Sequence, residues 1–157
     1  MNTSTSSLPG DLRELWMQFK GAETKLELRD ALWEIIRKVL VDLSTDQVAI
    51  DTILYECAAQ PVLFELGISV AMHASEYVRE AFRRRLVECG AAFETIRLVK
   101  LMDRPLSRDE MVMLGNRCAG GIVQEEVLLV LVYARGIEGI TELDLRRLEK
   151  QLGAKAA

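Results

Sequence analysis

Apolar side chains recur at intervals of three and four residues along nearly the whole of this chain, and this spacing limits the fold more than any other feature. Residues three and four apart share one side of an α-helix, whereas the side chains of a strand alternate every two residues. Residues 127–133 would also suit a strand, but the chain offers no second strand with which they could pair. The sequence therefore predicts an all-α fold, a single-domain bundle of about seven to eight helices.

Capping motifs and glycines mark where the helices begin and end. Residues 44–47 and 107–110 have the pattern of a capping box, in which the first side chain accepts a hydrogen bond from the amide of the fourth residue. Thr141 is a similar cap, and Gly90 suits the end of a long central helix. The predicted helices cover residues 12–19, 24–43, 48–57, 62–89 with a bend near Gly67, 93–102, 108–135 and 142–152.

The length of 157 residues suits one domain that folds around its own core without disulfides or a metal. Residues 1–10 are predicted to be a flexible tail, residues 11–153 the helical domain and residues 154–157 a loose C-terminal tail. No apolar run approaches the ~20 residues of a membrane span, and the N-terminus lacks the character of a signal peptide. We therefore expect a cytoplasmic protein without membrane association.

The segment of residues 108–135 gives the strongest indication of an interface. Residues 127–133 are apolar on every side of a helix, and such a helix must be buried all round. Gly120 and Gly121 would each destabilise a helix by about 1 kcal/mol relative to alanine. Either the close approach of another helix or a break between two helices would explain why glycine occurs here. Half of the residues are hydrophobic, a surplus that indicates a homodimer interface or an internal pocket. The predicted interface residues are Gly120, Gly121, Val127, Leu128, Val130, Leu131, Leu145, Leu148 and Leu152.

Aromatic and methionine side chains elsewhere could line a cavity for a small apolar ligand, because such side chains adapt to variable shapes. Helical spacing alone also explains them as ordinary core residues. The predicted pocket residues are Tyr55, Met72, His73, Tyr77, Phe93 and Met113.

His73 is the only histidine, so any histidine-based catalysis or metal binding would have to centre on it. A metal site needs three or four convergent ligands, and no second histidine or cysteine lies at helical ligand spacing from it. The cysteines, Cys57, Cys89 and Cys118, are widely separated and are interpreted as small core residues. The chain also lacks a nucleophile elbow and a glycine-rich phosphate loop. We therefore expect a non-enzymatic protein without a metal or other cofactor.

Arg79, Arg83, Arg84 and Arg85 concentrate positive charge near the end of the predicted central helix. There they oppose the negative end of the helix dipole, and we interpret them as a solvated basic patch. An acidic partner or a nucleic-acid phosphate remains open as an alternative. The net charge of −4 argues against direct DNA binding.

The order of features from Leu26 onward resembles the C-terminal regulatory domain of TetR-type transcription regulators. The resemblance rests on residues 28–32, residues 53–61 with their closing Pro61, residues 83–90, residues 109–135 with Gly120 and Gly121 inside them, and the capped terminal helix from Thr141. It implies helices around an effector pocket and a last helix pair that joins two subunits. The family places a helix-turn-helix head before this region, and residues 1–21 have room for one short helix only. The resemblance therefore implies a ligand-sensing and dimerisation domain without its own DNA-binding head.

A second hypothesis is a protein-binding inhibitor or adaptor, similar to an antiactivator, that acts on a transcription or secretion component. The amphipathic helix predicted at residues 12–19 would then be the docking element. Both hypotheses predict a regulatory protein that works by contact. They differ in whether the partner is a second copy of the chain or another protein.

Overall fold

A computed structural model of the chain describes residues 26–27, 30–31, 34–35, 37–38 and 46–153. Residues 46–153 form seven α-helices and one short 3-10 helix and contain no strand, and the earlier described residues are helical as well. The predicted all-α fold is therefore confirmed. The predicted tails at residues 1–10 and 154–157 and the predicted helix at residues 12–19 lie outside the described residues. The predicted capping box at residues 44–47 is wrong, because the helix that follows begins at Gln47 and its cap is Asp46, whose carboxylate accepts a hydrogen bond from the amide of Ala49 at 3.1 Å.

The chain divides into two compact units, Met1–Phe82 and Arg83–Ala157, and the boundary falls inside the helix Glu76–Glu88. The prediction of a single domain stays a prediction. In chain order the elements are α1 Gln47–Ala59, the 3-10 helix Pro61–Leu63, α2 Phe64–Ala71, α3 Glu76–Glu88, α4 Ala92–Met102, α5 Arg108–Arg117, α6 Gln124–Arg135 and α7 Glu142–Gly153.

In the first unit, the prediction of one helix over residues 62–89 is wrong. The 3-10 helix, α2 and α3 occupy this stretch, and the chain leaves the helical path at residues 72–75 instead of bending at Gly67. The carboxylate of Asp51 on α1 holds the non-helical turn, because it accepts a hydrogen bond from the backbone amide of Ser75 at 2.8 Å. A contact between residues so far apart in sequence leaves no sign in the local spacing.

Gly67 has a packing role inside α2. A Cβ atom at this position would overlap the ring of Phe82, so only a hydrogen lets the ring approach the backbone. Phe82 is fully buried and meets Phe64 edge to face, with ring centroids 6.1 Å apart. Cys57 lies beside this glycine in the buried core, where burial and the neighbouring Glu56 carboxylate raise the pKa of its thiol. For Cys57, the interpretation as a core residue is confirmed.

The second unit is built from the end of α3 and from α4, α5, α6 and α7. In it α6 packs against α4 and α7, and α5 packs against α7. One apolar cluster joins the helices and is almost completely enclosed. It contains Val87, Ala92, Ile96, Val99, Leu106, Met111, Leu114, Val127, Val130, Leu131, Ala134, Ile137, Leu145, Leu148 and Leu152. Because each helix buries one face in this cluster, the opposite faces are turned to solvent.

Two predicted caps fix the starts of helices in this unit. Ser107 accepts a hydrogen bond from the amide of Glu110, whose side chain accepts from the amide of Ser107, so the predicted capping box of α5 is confirmed. Thr141 and Asp144 make the same reciprocal pair of hydrogen bonds at the start of α7, each 3.1 Å long. Such caps satisfy backbone amides that a helix start would otherwise leave unpaired.

Gly120 and Gly121 separate two helices, which decides between the two explanations of their presence. α5 ends at Arg117 and α6 begins at Gln124, and the glycines have φ angles of 82° and 73° in the connection between them. Because side chains disfavour positive φ, glycine is the residue that turns the chain here. Of the two interpretations that the sequence left open, two separate helices are confirmed and one continuous helix over residues 108–135 is excluded.

Candidate interaction surface

α6 has two apolar faces, and only one of them is covered. Its inner face consists of Val127, Val130, Leu131 and Ala134, which are at most 8% exposed and lie in the core of the second unit. The opposite face carries Leu128, Leu129 and Val132, which are 52%, 51% and 72% exposed. The prediction that residues 127–133 are buried all round is thus wrong within a single chain. The core has room for one face of this helix, and the other stays in contact with water.

The three exposed side chains form a continuous stripe. Leu128 and Val132 are four residues apart and Leu129 and Val132 three, so they are neighbours on the helix surface. Glu125 precedes the leucines by one turn, and Arg135 follows Val132 by almost one turn; both are exposed. We call these five residues the α6 outer stripe. It is apolar at its centre, acidic at the N-terminal end of the helix and basic at the C-terminal end.

The stripe is held on a helix that is fixed at both ends. Ahead of α6, the amide of Ile122 donates to the carbonyl of Leu152 at 3.0 Å and ties the connection to the end of α7. Near the other end, the hydroxyl of Tyr133 accepts a hydrogen bond from the amide of Leu106 at 3.0 Å. These contacts and the buried inner face set the direction in which the outer stripe points.

The outer face of α7 has the opposite character. Leu143 is 64% exposed, and around it Arg146, Arg147 and Lys150 are exposed on the side of the helix away from the core. Asp144 anchors this helix to α5, because its carboxylate accepts from Arg108 at 2.9 and 3.1 Å. The hydrogen bonds from Arg108 and from the Thr141 amide hold the pKa of Asp144 down to about 2.

A narrow cleft lies between α5 and α7, but its volume is small. It is lined by Met111, Val112, Ile140, Asp144, Leu145, Arg147, Leu148 and Gln151. Its internal volume of about 10 Å³ is about what a single water molecule needs. A small apolar ligand of the predicted kind does not fit this cleft.

The predicted pocket residues are distributed over both units and are mostly at the surface. Tyr55, Met72, His73 and Tyr77 lie in the first unit and are exposed, Tyr77 at 85%. In the second unit Phe93 is half-buried and Met113 is exposed. None of the six lines the cleft between α5 and α7. The ligand pocket stays a prediction.

Most of the predicted interface residues are core residues of the second unit. Val127, Val130, Leu131, Leu145, Leu148 and Leu152 are at most 8% exposed, whereas Gly120 is half-buried and Leu128 and Gly121 are exposed. A side chain enclosed by its own chain is not available to a second copy, so of the nine predicted residues only Leu128 belongs to the outer stripe. The sequence-based prediction of the interface did not include the other four stripe residues, which are Leu129, Val132, Glu125 and Arg135. Because every residue from 127 to 132 is apolar, the sequence does not show which face of α6 the core will cover.

The predicted basic patch is interrupted at Arg83, and its interpretation as a solvated face is wrong there. Arg83 is 4% exposed, and its guanidinium binds both carboxylate oxygens of Glu110 at 2.6 and 3.2 Å. Partial burial acts to raise the pKa of Glu110, but the hydrogen bonds from Arg83 and from the Ser107 amide lower it below its ordinary value. The structure places Arg84 and Arg85 at the surface and Arg79 in a half-buried position.

The residues that the structure describes include no group of three or more histidine, cysteine or acidic side chains arranged to hold a metal ion. Among the same residues, no helix has the length and apolar character needed to cross a membrane. Comparison of the chain with protein families, curated proteins and solved structures finds no match.

Proposed function

We propose that this chain is a non-enzymatic regulatory protein that acts by protein–protein contact, and that two copies associate through the α6 outer stripe. The observation that carries the proposal is the exposure of Leu128, Leu129 and Val132 side by side on one helix. Burying apolar surface gains about 25 cal/mol per Å². Association is therefore the process in which this face gains free energy.

The arrangement favours a helix as the binding partner. Single exposed apolar residues are common on protein surfaces and need no explanation. Leu128, Leu129 and Val132 instead repeat at the spacing with which one amphipathic helix docks against another. The same helix in a second copy supplies a matching apolar face, and two-fold homodimers are the commonest oligomers.

The resemblance to TetR-type regulatory domains supports self-association as well, since those domains join through their last helices. Ligand sensing has support from that resemblance alone, because Tyr55, Met72, His73 and Tyr77 are exposed. The proposal places the protein in the cytoplasm, where a reducing environment suits the three free cysteines.

The test is sedimentation equilibrium of the full chain and of a Leu129→Asp variant. One helix face buries less than a standard interface, so we expect a dimer that dissociates in the micromolar range. The two-fold axis places each substitution in the contact twice, and Leu129→Asp should weaken dimerisation on the order of 100-fold. Circular dichroism should show an unchanged helix content.

Leu101→Asp is the matched control. Leu101 lies on α4 in the same unit and is 53% exposed, against 51% for Leu129. It should leave dimerisation unchanged. Equal dimerisation of wild type and Leu129→Asp would reject the α6 outer stripe as the contact surface.

A second candidate function is an adaptor that binds an acidic partner protein. The outer face of α7 favours it, because the exposed Leu143 lies there among three cations and one acid in a shallow depression of about 400 Å³. The charged residues of this depression are Arg146, Arg147, Lys150 and Glu149. In that case Arg147→Glu should abolish capture of an acidic helical peptide, while Leu129→Asp should not. Capture that Arg147→Glu leaves unchanged would reject this role for α7.

A further inference from the structure

We infer that the two α6 helices pair antiparallel, so that Glu125 of each copy faces Arg135 of the other. The inference rests on the proposed self-association and adds the partner helix, its direction and the residues that fix the register. It follows from how charge and apolar surface are placed along the α6 outer stripe.

Four of the five stripe residues form two pairs that are symmetric about Val130, and Leu129 lies beside them. Leu128 and Val132 lie two residues to either side of Val130, and Glu125 and Arg135 lie five residues to either side of it. A two-fold axis across the helix at this point exchanges the members of each pair. In the antiparallel dimer Leu128 therefore meets Val132, and the acidic end of each stripe meets the basic end of the other.

A parallel pair would have the opposite effect. It would place Glu125 against Glu125 and Arg135 against Arg135, and like charges across an interface disfavour association. The backbone adds to this preference, because antiparallel helices bring the positive end of one dipole near the negative end of the other. Direction is thus determined by charge, while the apolar centre of the stripe supplies the affinity.

Both charged residues are able to make the new contact. The carboxylate of Glu125 makes no hydrogen bond or ion pair with another described residue. Arg135 has one, to Glu142 at 3.8 Å, with side chains 66% and 71% exposed. An ion pair this exposed is weak, and a guanidinium has five N–H donors, so Arg135 can bind a second carboxylate.

The outer face of α7 does not share in this contact. Pairing of two copies across that face would set Arg146, Arg147 and Lys150 against the same cations. The contact is therefore confined to α6, which differs from the last helix pair that the TetR resemblance implies.

The experiment uses charge reversals in the full chain, followed by sedimentation equilibrium. Glu125→Arg alone and Arg135→Glu alone each place like charges at both crossings of a homodimer. Each should raise the Kd on the order of tenfold. The double variant, with both reversals in one chain, should restore the Kd of the wild type.

Mixing the two single variants tests whether residues 125 and 135 face the other copy, whichever way the helices run. The direction itself is tested by the single variants, because a parallel pair would already oppose like charges in the wild type and would lose no affinity on either reversal. In a heterodimer of the Glu125→Arg chain with the Arg135→Glu chain, both crossings pair opposite charges, whereas both homodimers oppose like charges. Native mass spectrometry of the mixture should show the heterodimer well above its statistical share of half.

Three control variants test whether a change in net charge, or the loss of the ion pair between Arg135 and Glu142, alters the Kd by itself. Glu149→Arg and Arg146→Glu make the same changes in net charge on the outer face of α7 and should leave the Kd unchanged. Glu142→Gln removes the partner that Arg135 has within its own chain and should also have no effect on dimerisation.

The outcomes distinguish the inference from the proposed function. If the wild type dimerises, Leu129→Asp disrupts the dimer and the single charge reversals leave the Kd unchanged, the antiparallel register is wrong and self-association stands. If the wild type is monomeric, or if Leu129→Asp leaves the dimer intact, both the inference and the proposed function are wrong.

Discussion

α6 and α7 pack against each other over the same core, yet they present opposite surfaces to water. Both bury a row of aliphatic side chains. α7 surrounds its single exposed leucine with Arg146, Arg147 and Lys150, whereas α6 exposes Leu128, Leu129 and Val132 side by side. One apolar face per helix is enough to build the core, so the second apolar face of α6 requires a different explanation, and association provides one.

The largest expected effect tests the two faces of α6 against each other. Val130 is fully buried and Val132 is 72% exposed. Val130→Asp puts an uncompensated charge into the core and should lower the free energy of unfolding by about 4 kcal/mol or more. Val132→Asp should change the stability of the monomer by less than about 0.5 kcal/mol and weaken dimerisation instead. Urea unfolding at a concentration where the chain is monomeric measures the free energy of unfolding of each variant. Equal losses of stability in Val130→Asp and Val132→Asp would contradict the assignment of the inner and outer faces of α6.

A smaller effect is expected when the same comparison is made on α7. Leu148 is 4% exposed and Leu143 is 64% exposed. Leu148→Ala removes packed methyl groups and leaves a cavity, which should cost about 2 to 4 kcal/mol. Leu143→Ala should cost less than about 0.5 kcal/mol and leave the dimer unchanged. A weakened dimer in Leu143→Ala would extend the contact surface to α7 and contradict its confinement to α6.

The smallest effect concerns pH and the link between α5 and α7. The pKa of Asp144 is about 2 against an ordinary value of 3.8, and the pKa of Glu110 is also lowered. A carboxylate with a lowered pKa in the folded state contributes stability above its unfolded pKa, and that contribution is lost as pH falls through the folded value. Stability should therefore decline from about pH 5 towards pH 2.

Asp144→Asn should make this decline shallower, as measured by thermal unfolding across the acidic range. Asp103→Asn is the control for net charge, because Asp103 is exposed and asparagine tolerates its positive φ angle of 51°. An identical acid profile for wild type and Asp144→Asn would show that the Arg108–Asp144 contact contributes nothing to the pH dependence.

Features that depend on neighbouring residues could be predicted from the sequence. The caps at Ser107 and Thr141 and the helix end before Gly90 lie within a few residues of the helices they delimit. The inner face of α7 follows from the leucines at 145, 148 and 152, since polar residues occupy its other sides. The helix ends and the buried face of α7 can therefore be read from the spacing of nearby residues alone.

Features that depend on distant residues could not be predicted. The turn at residues 72–75 relies on Asp51, 24 residues before the amide it binds. Arg83 is buried because Glu110, 27 residues away, accepts its hydrogen bonds. In α6 the difficulty is different: an apolar residue at every position from 127 to 132 leaves no periodicity, so only the packed structure separates Val130 from Val132.

The most direct test of self-association is sedimentation equilibrium of the wild-type chain from low to high micromolar concentration. The account predicts a reversible monomer–dimer equilibrium, with the weight-average mass rising from about one towards two protomers across that range. A mass that stays at one protomer up to the highest concentration would contradict the claim that the α6 outer stripe joins two copies.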